Sequence, residues 1–481
     1  MEPYQILLLI AAYFGVLFLI SFFSSRAGTN AEFFRANRQS PWYIVAFGMI
    51  GASLSGVTFI SLPGTVTTDS FSYFQVVLGY TVGYAVIGLV LLPLYYRLNL
   101  TSIYSYLNSR FGNYSYKTGA SFFLLSRIVG SSFRLFLVAN VLQLILFDGL
   151  GIPYYATVTV TIFLIWLYTF RGGIKTVVWT DTLQTLFMLL ALGVTLVVLS
   201  EELGVSGAGM INYLSDTGLT QIFFFEDWKS SHHFIKQFIS GAFIAIVMTG
   251  LDQDMMQKNL TCRNLKDAQK NMFSFTIVLT IVNMMFLILG VLLTQYADLN
   301  GIDAIKDDLF PAIATSGELG IGVAILFVLG LIAAAYSSAD GTLTALTTSF
   351  SLDILEIEKH YNEEKQVRIR KQIHIAISIL MILVMLIFKY AIADKSVINK
   401  LFEFAGYTDG PLLGLYTLGL FTDWKIKDKL VPLVAIMAPI LSYIISINSL
   451  KWFGFEFGFF ILILNGALTF LGLVLIRRKH H

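Results

Sequence analysis

The chain has 481 residues, of which 56% are hydrophobic and 13% are charged, whereas about a quarter of the residues are charged in an ordinary soluble domain. This composition excludes a soluble enzyme, a nucleic-acid-binding protein and a disordered chain, and it indicates a protein with many membrane-spanning segments. The formal net charge of +2 favours no charged partner, and the single cysteine, Cys262, excludes a framework of intrachain disulfides.

Apolar runs of transmembrane length follow one another along the whole chain. A membrane-spanning helix needs about 20 mostly apolar residues, and the sequence contains about thirteen such runs. We therefore predict an all-α polytopic membrane protein in which residues 1–481 form a single transmembrane domain. The predicted spans are residues 4–23, 43–65, 73–96, 118–146, 152–170, 174–199, 235–255, 270–296, 319–349, 372–393, 397–420, 429–449 and 455–476.

The distribution of basic residues over the loops predicts the orientation of the chain. Lys and Arg cluster in alternate loops, for example at Arg35, Arg97 and Lys258, whereas the loops between them carry acidic residues such as Asp69 and Glu201. Cytoplasmic loops are enriched in basic residues, so we expect the N-terminus outside and the C-terminus in the cytoplasm. This orientation requires an odd number of spans, and we expect the protein to be multi-pass in the plasma (inner) membrane.

The second span contains a cluster of small and polar residues. It extends from Gly51 to Pro63, with Ser55 and Thr58 near its middle. In hydrocarbon, backbone groups that Gly or Pro release from a helix must be satisfied by protein or by a cavity. The cluster therefore indicates either close packing through small residues or an unwound segment of the kind whose carbonyls hold Na⁺ in transporters.

Charged side chains inside the fourth and sixth spans are further candidates for function. Arg127 and Arg134 are seven residues apart, so they share one helix face. Each either pairs with a buried acid or offers a carboxylate-binding fork to a cavity. Asp181 lies about two helical turns inside the sixth span, where it is either hydrated near the interface or functional.

The ninth span combines hydroxyls with a carboxylate inside a long apolar helix. Ser337 and Ser338 are followed by Asp340 and by further hydroxyls at Thr342 and Thr344. Na⁺ is a hard cation that prefers oxygen ligands, and a buried carboxylate is costly unless it is paired or bound to an ion. We interpret Asp340 as a group for ion or proton binding, with a structural ion pair as the alternative.

Six stretches of sequence, taken together and in order, carry a family resemblance. They are Asn30-Ala-Glu-Phe-Phe-Arg35 with Pro41-Trp42, Ser55-Gly-Val-Thr-Phe-Ile-Ser-Leu-Pro63, Tyr168-Thr-Phe-Arg-Gly-Gly-Ile-Lys-Thr-Val-Val-Trp-Thr-Asp181, Asp252-Gln-Asp-Met-Met-Gln-Lys258, Ala335-Tyr-Ser-Ser338 and Gly410-Pro-Leu-Leu-Gly-Leu-Tyr-Thr-Leu-Gly-Leu-Phe421. Over nearly its whole length the chain resembles the sodium/solute symporter family, and in particular its bacterial sialic acid branch.

The resemblance implies a LeuT-type fold. In this fold an extra N-terminal helix corresponds to residues 4–23, a first inverted repeat to residues 43–199 and a second repeat to residues 235–420. Two trailing helices then correspond to residues 429–476. Such repeats place the binding site at the middle of the membrane, beside broken helices.

The resemblance also implies a main sodium site, with Na⁺ as the coupling ion. The ligands of that site correspond to the backbone carbonyls of Gly51, Leu54 and Ala334. The hydroxyls of Ser337 and Ser338 complete the set. These positions lie in the two polar segments that the residues themselves had already indicated.

The resemblance also implies a second sodium site in some members of the family. The matching positions are altered in this chain. Those members have two serines where this chain has Asp340-Gly341, opposite the acid that matches Asp181. The change removes two hydroxyls and adds a carboxylate, and two neighbouring carboxylates either share a cation or keep one proton. We favour a second cation site at Asp181 and Asp340, with a proton-coupled site or no site as alternatives.

Similarity to the sialic acid branch implies the substrate residues as well. Ser55 and Thr58 lie in the broken helix, and Arg134 aligns with the Arg that binds the carboxylate of a sugar acid in that branch. Gln75 in the third span is a candidate for binding substrate hydroxyls. The resemblance thus implies Na⁺-coupled symport of a small polar solute by alternating access. A sugar acid such as sialic acid is the expected substrate, and a neutral sugar, an amino acid or a small monocarboxylate is the alternative.

The expected partners are the small-molecule substrate, sodium ions and the lipid bilayer, with no nucleic acid, and we expect a monomer. An enzyme is not expected, because the histidines form no ligand set with Cys262. A sensor or a channel built on a transporter fold is the alternative from a different functional class.

Overall fold

The computed structural model describes residues 3–24, 28–205, 207, 209–391 and 397–478. Its helices overlap the predicted apolar runs, with ends that differ by up to nine residues, and we number the long ones in chain order. They are α1 (Pro3–Ser24), α2 (Trp42–Asp69), α3 (Tyr73–Arg97), α4 (Asn113–Leu142), α5 (Tyr154–Thr169), α6 (Ile174–Glu202), α7 (Phe234–Gly250 followed by Gln253–Asn259), α8 (Leu265–Asn300), α9 (Ile321–Ile354), α10 (Glu363–Ala391), α11 (Val397–Phe421), α12 (Val431–Ile447) and α13 (Ile461–Leu475).

Short helices connect these long ones, and no strand occurs among the residues described. The connecting helices are Asn30–Arg35, Ser105–Arg110, Gly209–Asp216, Leu309–Ser316, Ile357–His360 and Ser449–Phe453. The predicted all-α polytopic fold is therefore confirmed.

The number of spans is a separate matter from the fold class. In the described part of the chain, ten helices are long and apolar enough to cross a membrane, and the bent α7 brings the number to eleven. The apolar helix α5 has 16 residues, which is shorter than a typical span. The figure of about thirteen spans stays a prediction.

Helices α2 and α9 form the centre of the bundle. In each of these two helices, 78% of the most apolar 18-residue stretch is buried inside the protein, compared with 22% in α1. They pack against each other and against α6, while α3 packs on α7 and α8 packs on α2. Because α2 and α9 are shielded from lipid, their polar residues face protein or a cavity, and lipid does not have to accommodate them.

Two interruptions shape this centre. Inside α2, Ser55 has φ 38° and ψ 170°, so the helical hydrogen bonding stops there and resumes afterwards. In α7, the two parts meet at an angle of 70°, and the Asp252 side chain caps the second part by accepting a 3.1 Å hydrogen bond from the Met255 N–H. Both interruptions lie beside the same cavity.

Candidate functional site: a cavity beside the broken helices

A cavity of about 580 Å³ lies against the interruption in α2. Its walls include residues of α2, α3, α4, α7 and α8, and it extends to Asp69, His232 and Glu456 at one face of the bundle. Small-molecule sites typically have volumes of roughly 300–1,000 Å³ and a few polar groups among apolar walls. The size and lining of this cavity therefore suit a small polar solute.

Arg134 on α4 places a guanidinium in this cavity. It lines the wall, and its Nε is buried with no hydrogen-bond partner in the described part of the chain. A buried donor that lacks a partner is costly, so a ligand that accepts a hydrogen bond from this group would remove that cost. A guanidinium is the side chain best suited to two-point binding of a carboxylate.

The neighbouring Arg127 differs because it is already paired. Its Nε donates to the carboxylate of Asp252, with which it forms a buried ion pair. A further contact of 3.4 Å joins Nη2 to the Met248 carbonyl. Of the two arginines on this helix face, Arg134 is thus the one with an unused donor.

Hydroxyl groups surround Arg134 on the other walls of the cavity. Ser55 and Thr58 from the broken α2 line it, as do Tyr73 and Tyr80 from α3. The two tyrosine hydroxyls are 2.9 Å apart and hydrogen-bonded to each other. A solute with one carboxylate and several hydroxyls would find complementary groups on these walls.

Gln75 lies apart from the cavity, although it is on the same helix as the tyrosines. Its Nε2 donates to the carbonyl of His232 at 2.9 Å and to Oε1 of Gln237 at 2.7 Å. Its Oε1 accepts from the Phe224 N–H at 3.1 Å. These bonds fasten the segment before α7 to α3, and the proposed role of Gln75 in substrate binding stays a prediction.

Two of the predicted main sodium ligands, Gly51 and Ser337, meet where the interrupted α2 packs on α9. The hydroxyl of Ser337 donates to the Gly51 carbonyl at 3.3 Å, and Leu54 lies directly before the interruption at Ser55. On the other side of Gly51, its N–H donates to Thr185 Oγ1 at 3.1 Å, and a Cβ on Gly51 would stand 2.3 Å from that oxygen. Glycine is needed here for the close approach.

The chemistry of this crossing fits Na⁺. Carbonyls in the turn before the interruption lose their intrahelical N–H partners, and Ser337 and Ser338 on α9 are both buried. Ala334 lies one turn earlier on α9 and is fully buried. Neutral oxygen atoms of this kind are suitable ligands for a hard monovalent cation.

Asp181 and Asp340 are both buried, but their immediate partners differ. Asp181 forms an ion pair with Lys258, whose Nζ is 2.9 Å from Oδ2. Asp340 accepts hydrogen bonds from the Tyr168 hydroxyl at 2.9 Å and the Thr180 hydroxyl at 3.3 Å. Its other oxygen accepts from the Gly341 N–H at 2.6 Å.

Sequence reasoning missed Lys258 as a site residue because it was grouped with the basic residues of the loops. The structure places Lys258 in the short second part of α7, with its side chain 1% exposed. There it contacts Asp254 at 3.4 Å as well as Asp181. The spacing of Asp254 and Lys258 by four residues, inside an apolar region, is the signal that could have revealed a buried pair.

Comparison with known proteins identifies the group to which this architecture belongs. The family model described as "Sodium:solute symporter family" matches residues 33–426. A sodium/sialic acid symporter of Aliivibrio fischeri is 25% identical over 480 residues, which cover 95% of this chain and 91% of that protein. A sodium-coupled monocarboxylate transporter of Mus musculus is also 25% identical, over 87% of this chain and 68% of its own length.

Solved structures show the same fold. A Na⁺-coupled sialic acid symporter in a substrate-bound outward-open state superposes with a TM-score of 0.82 at 20% identity, covering 100% of this chain and 99% of that one. A nucleobase-cation-symport-1 family transporter in a closed conformation gives a TM-score of 0.58 at 15% identity, covering 92% and 93%. These structures establish the fold class, which is LeuT-like.

Proposed function

The chain belongs to the sodium:solute symporter family, and from this membership we propose that it imports a small carboxylated solute together with Na⁺. Sialic acid is the substrate that the relatives and the cavity favour together. The observation that carries the proposal is the Arg134 guanidinium, which lines the cavity with a buried Nε that has no partner in the described chain.

The substrate would bind with its carboxylate on Arg134. Two parallel N–H···O bonds from a guanidinium fix both the position and the orientation of a carboxylate. Ser55 and Thr58, together with the tyrosine pair on α3, would then receive the hydroxyl groups. Three walls thus contribute to one binding geometry.

Na⁺ would bind at the crossing of α2 and α9, with the carbonyls of Gly51, Leu54 and Ala334 and the hydroxyls of Ser337 and Ser338 as ligands. The ion supplies a positive charge that joins the interrupted helix to its neighbour. Since Ser55 is at the interruption and also lines the cavity, ordering the interruption orders part of the substrate site. This shared element makes binding of the two cooperative, and the coupling is reciprocal.

The driving force of this arrangement is adequate for concentrative uptake. One Na⁺ and one carboxylate together carry no net charge, so a membrane potential, which contributes about 2.3 kcal/mol per net charge at 100 mV, does not act on this pair. The Na⁺ concentration gradient then drives uptake, with about 1.4 kcal/mol for each factor of ten. We also propose that residues 43–199 and 235–420 are the inverted repeats that move relative to each other. Residues 4–23 and 429–476 would take no part in this relative movement.

We propose the plasma membrane as the location, and the loop charges give the orientation of the chain in it. With the N-terminus outside and the C-terminus in the cytoplasm, the cavity mouth at Asp69, His232 and Glu456 faces the exterior. The protein would then work as a monomer that moves its solute unaltered, without an enzymatic step.

A small monocarboxylate is the second candidate substrate, because Arg134 would bind any carboxylate and one relative is a monocarboxylate transporter. The hydroxyl-bearing walls favour the sugar acid over it. A thermal-shift screen on purified protein distinguishes the sugar acid from the monocarboxylate. The protein is melted in NaCl and in KCl, with sialic acid, lactate, a neutral hexose or proline added. We expect stabilisation by sialic acid that depends on Na⁺. Equal stabilisation in KCl would refute the coupling, and stabilisation by lactate or proline alone would refute the sugar-acid assignment.

A further inference from the structure

Asn283 is a buried polar residue on α8 whose side chain lines the cavity. It is 3% exposed, and its Nδ2 donates to the Leu279 carbonyl of the preceding helical turn at 2.8 Å. Only the amide nitrogen can donate to a carbonyl, so this bond fixes how the amide is turned. In the described part of the chain, the amide oxygen Oδ1 accepts no hydrogen bond. It is therefore available to another partner.

Asn283 does not join helices, in contrast to another buried asparagine of α8. The Nδ2 of Asn271 contacts Asn259 Oδ1 at 2.7 Å and Met49 Sδ at 3.3 Å, so Asn271 connects α8 to α7 and to α2. The bond from Asn283 stays within α8, where it adds no contact between helices. A polar group that is removed from water without a partner costs free energy, and a solute that donates a hydrogen bond to Oδ1 would remove this cost.

The position of Asn283 is beside the interruption of α2. Before the interruption Met49 contacts Asn271, and after it the ring centroids of Phe59 and Phe286 are 5.9 Å apart. The two helices thus run side by side in the same direction. Asn283 lies between these contacts, less than one turn before Phe286. Its amide therefore faces the part of the cavity where the broken helix presents its hydroxyls.

Arg134 approaches the same interruption from α4. A Cβ on Gly56, the residue after the interruption, would stand 2.4 Å from the Val138 side chain and 3.9 Å from the Arg134 carbonyl. Arg134 and Asn283 both line the cavity, one from α4 and the other from α8. The cavity thus has a cationic fork on one wall and a neutral hydrogen-bond acceptor on another. A solute that uses both must carry a carboxylate and, apart from it, an O–H or N–H donor.

We propose that Asn283 is a specificity-determining residue, whose Oδ1 accepts a hydrogen bond from a hydroxyl or N–H group of the solute while Arg134 holds the carboxylate. A carboxylate without a further donor leaves Oδ1 unpaired in the occupied site, whereas a sugar acid supplies several donors. A site that is built to bond a hydroxyl or N–H group rejects an analogue that lacks it. This inference rests on the proposed function, because it specifies how that site selects among carboxylated solutes.

The first test is Asn283→Leu, which keeps a similar volume and removes the acceptor. Because a donor of the solute is then buried without a partner, the dissociation constant for sialic acid in NaCl should rise by about 5-fold to about 140-fold, measured by isothermal titration. Thr280→Val is the matched control, since the Thr280 hydroxyl also bonds a carbonyl of α8 and lies away from the cavity walls. It should bind sialic acid as the unaltered protein does. Stabilisation by Na⁺ alone should be equal in all three.

Two negative results of this titration have different meanings. If the unaltered protein does not bind sialic acid in NaCl, the proposed function fails and the inference fails with it. If the unaltered protein binds sialic acid and Asn283→Leu binds it within about twofold, well below the loss expected for an unpaired donor, the inference alone is overturned.

The second test removes donors from the solute, with single deoxy analogues of sialic acid and an analogue that is methylated on the amide nitrogen. The analogue that lacks the donor for Asn283 should bind the unaltered protein more weakly than sialic acid does. It should lose no further affinity in Asn283→Leu, because the two changes remove the same hydrogen bond. A variant that weakens every analogue by the same factor as sialic acid would show a purely structural effect and overturn the proposal.

If Asn283→Leu fails to fold, Asn283→Ala takes its place in both tests. It removes the acceptor, adds no bulk beside the cavity and introduces the best helix former. The same losses of affinity and the same analogue dependence are expected, and unchanged affinity of this variant for sialic acid would refute the role of Asn283.

Discussion

Replacing Arg134 by Met is the perturbation that tests the substrate site most sharply. The substitution keeps an unbranched side chain of moderate length and removes the guanidinium that faces the cavity. Truncating one partner of a buried, hydrogen-bonded charge pair costs about 2–5 kcal/mol. At about 1.4 kcal/mol for each factor of ten, the dissociation constant for sialic acid should rise by about 30-fold to about 4,000-fold.

The same substitution has an opposite effect on the substrate-free protein. Because Nε of Arg134 is buried without a partner, the folded state bears a cost of about 1–3 kcal/mol for an unsatisfied donor. Removing that donor should therefore raise the melting temperature of the protein, or at least leave it unchanged. A residue that mainly stabilised the fold would have the reverse effect.

The assay combines isothermal titration with sialic acid and thermal melting in NaCl. Arg134→Lys is the informative partner variant, because it keeps the charge and loses the planar fork, so its affinity should lie between those of the other two proteins. Stabilisation by Na⁺ alone should be the same in all three. A dissociation constant for Arg134→Met within about threefold of the original, far below the range expected for a lost charge pair, would refute the role of Arg134.

Two further predictions concern α9. The double variant Ser337→Ala and Ser338→Ala removes both hydroxyl ligands and should raise the Na⁺ concentration for half-maximal uptake by about tenfold or more. Ser378→Ala, which loses only a hydrogen bond to its own helix, is the control and should leave that concentration unchanged. Equal Na⁺ dependence in the two proteins would contradict the main-site assignment. Gly341→Ser inserts a Cβ between Asp254 and Lys258 and should destabilise the protein by about 1–3 kcal/mol, measured as a lower melting temperature. The control is Gly322→Ser on the same helix, where a Cβ meets nothing within 4 Å. Equal melting temperatures for the two variants would contradict the close packing around Lys258.

The fold class was predictable because each apolar run has to cross the bilayer as a helix. The polar cluster from Gly51 to Pro63 also indicated an unwound segment, but its exact position was not evident, since the backbone departs from the helix at Ser55 while Pro63 stays inside it. The position at which the backbone leaves the helix depends on packing against α6 and α4. This packing involves contacts between distant parts of the chain.

The surroundings of Asp181 and Asp340 were less accessible to sequence reasoning. The resemblance placed the two acids near each other, but the positive-inside pattern assigned Lys258 to a loop. The 70° bend of α7 carries that lysine into the bundle, and Gly341 on a different helix makes space for it. Neither helix propensity nor the charge pattern predicts such an arrangement of three helices. The spacing of four residues between Asp254 and Lys258 was the one local signal of a buried pair.

The measurement that tests the central claim most directly is uptake of labelled sialic acid into proteoliposomes that contain this protein alone. An inward Na⁺ gradient should drive accumulation above the external concentration, an equal K⁺ gradient should not, and collapsing the Na⁺ gradient with an ionophore should release the accumulated label. Uptake that equilibrates at the external concentration with either ion would contradict Na⁺-coupled symport.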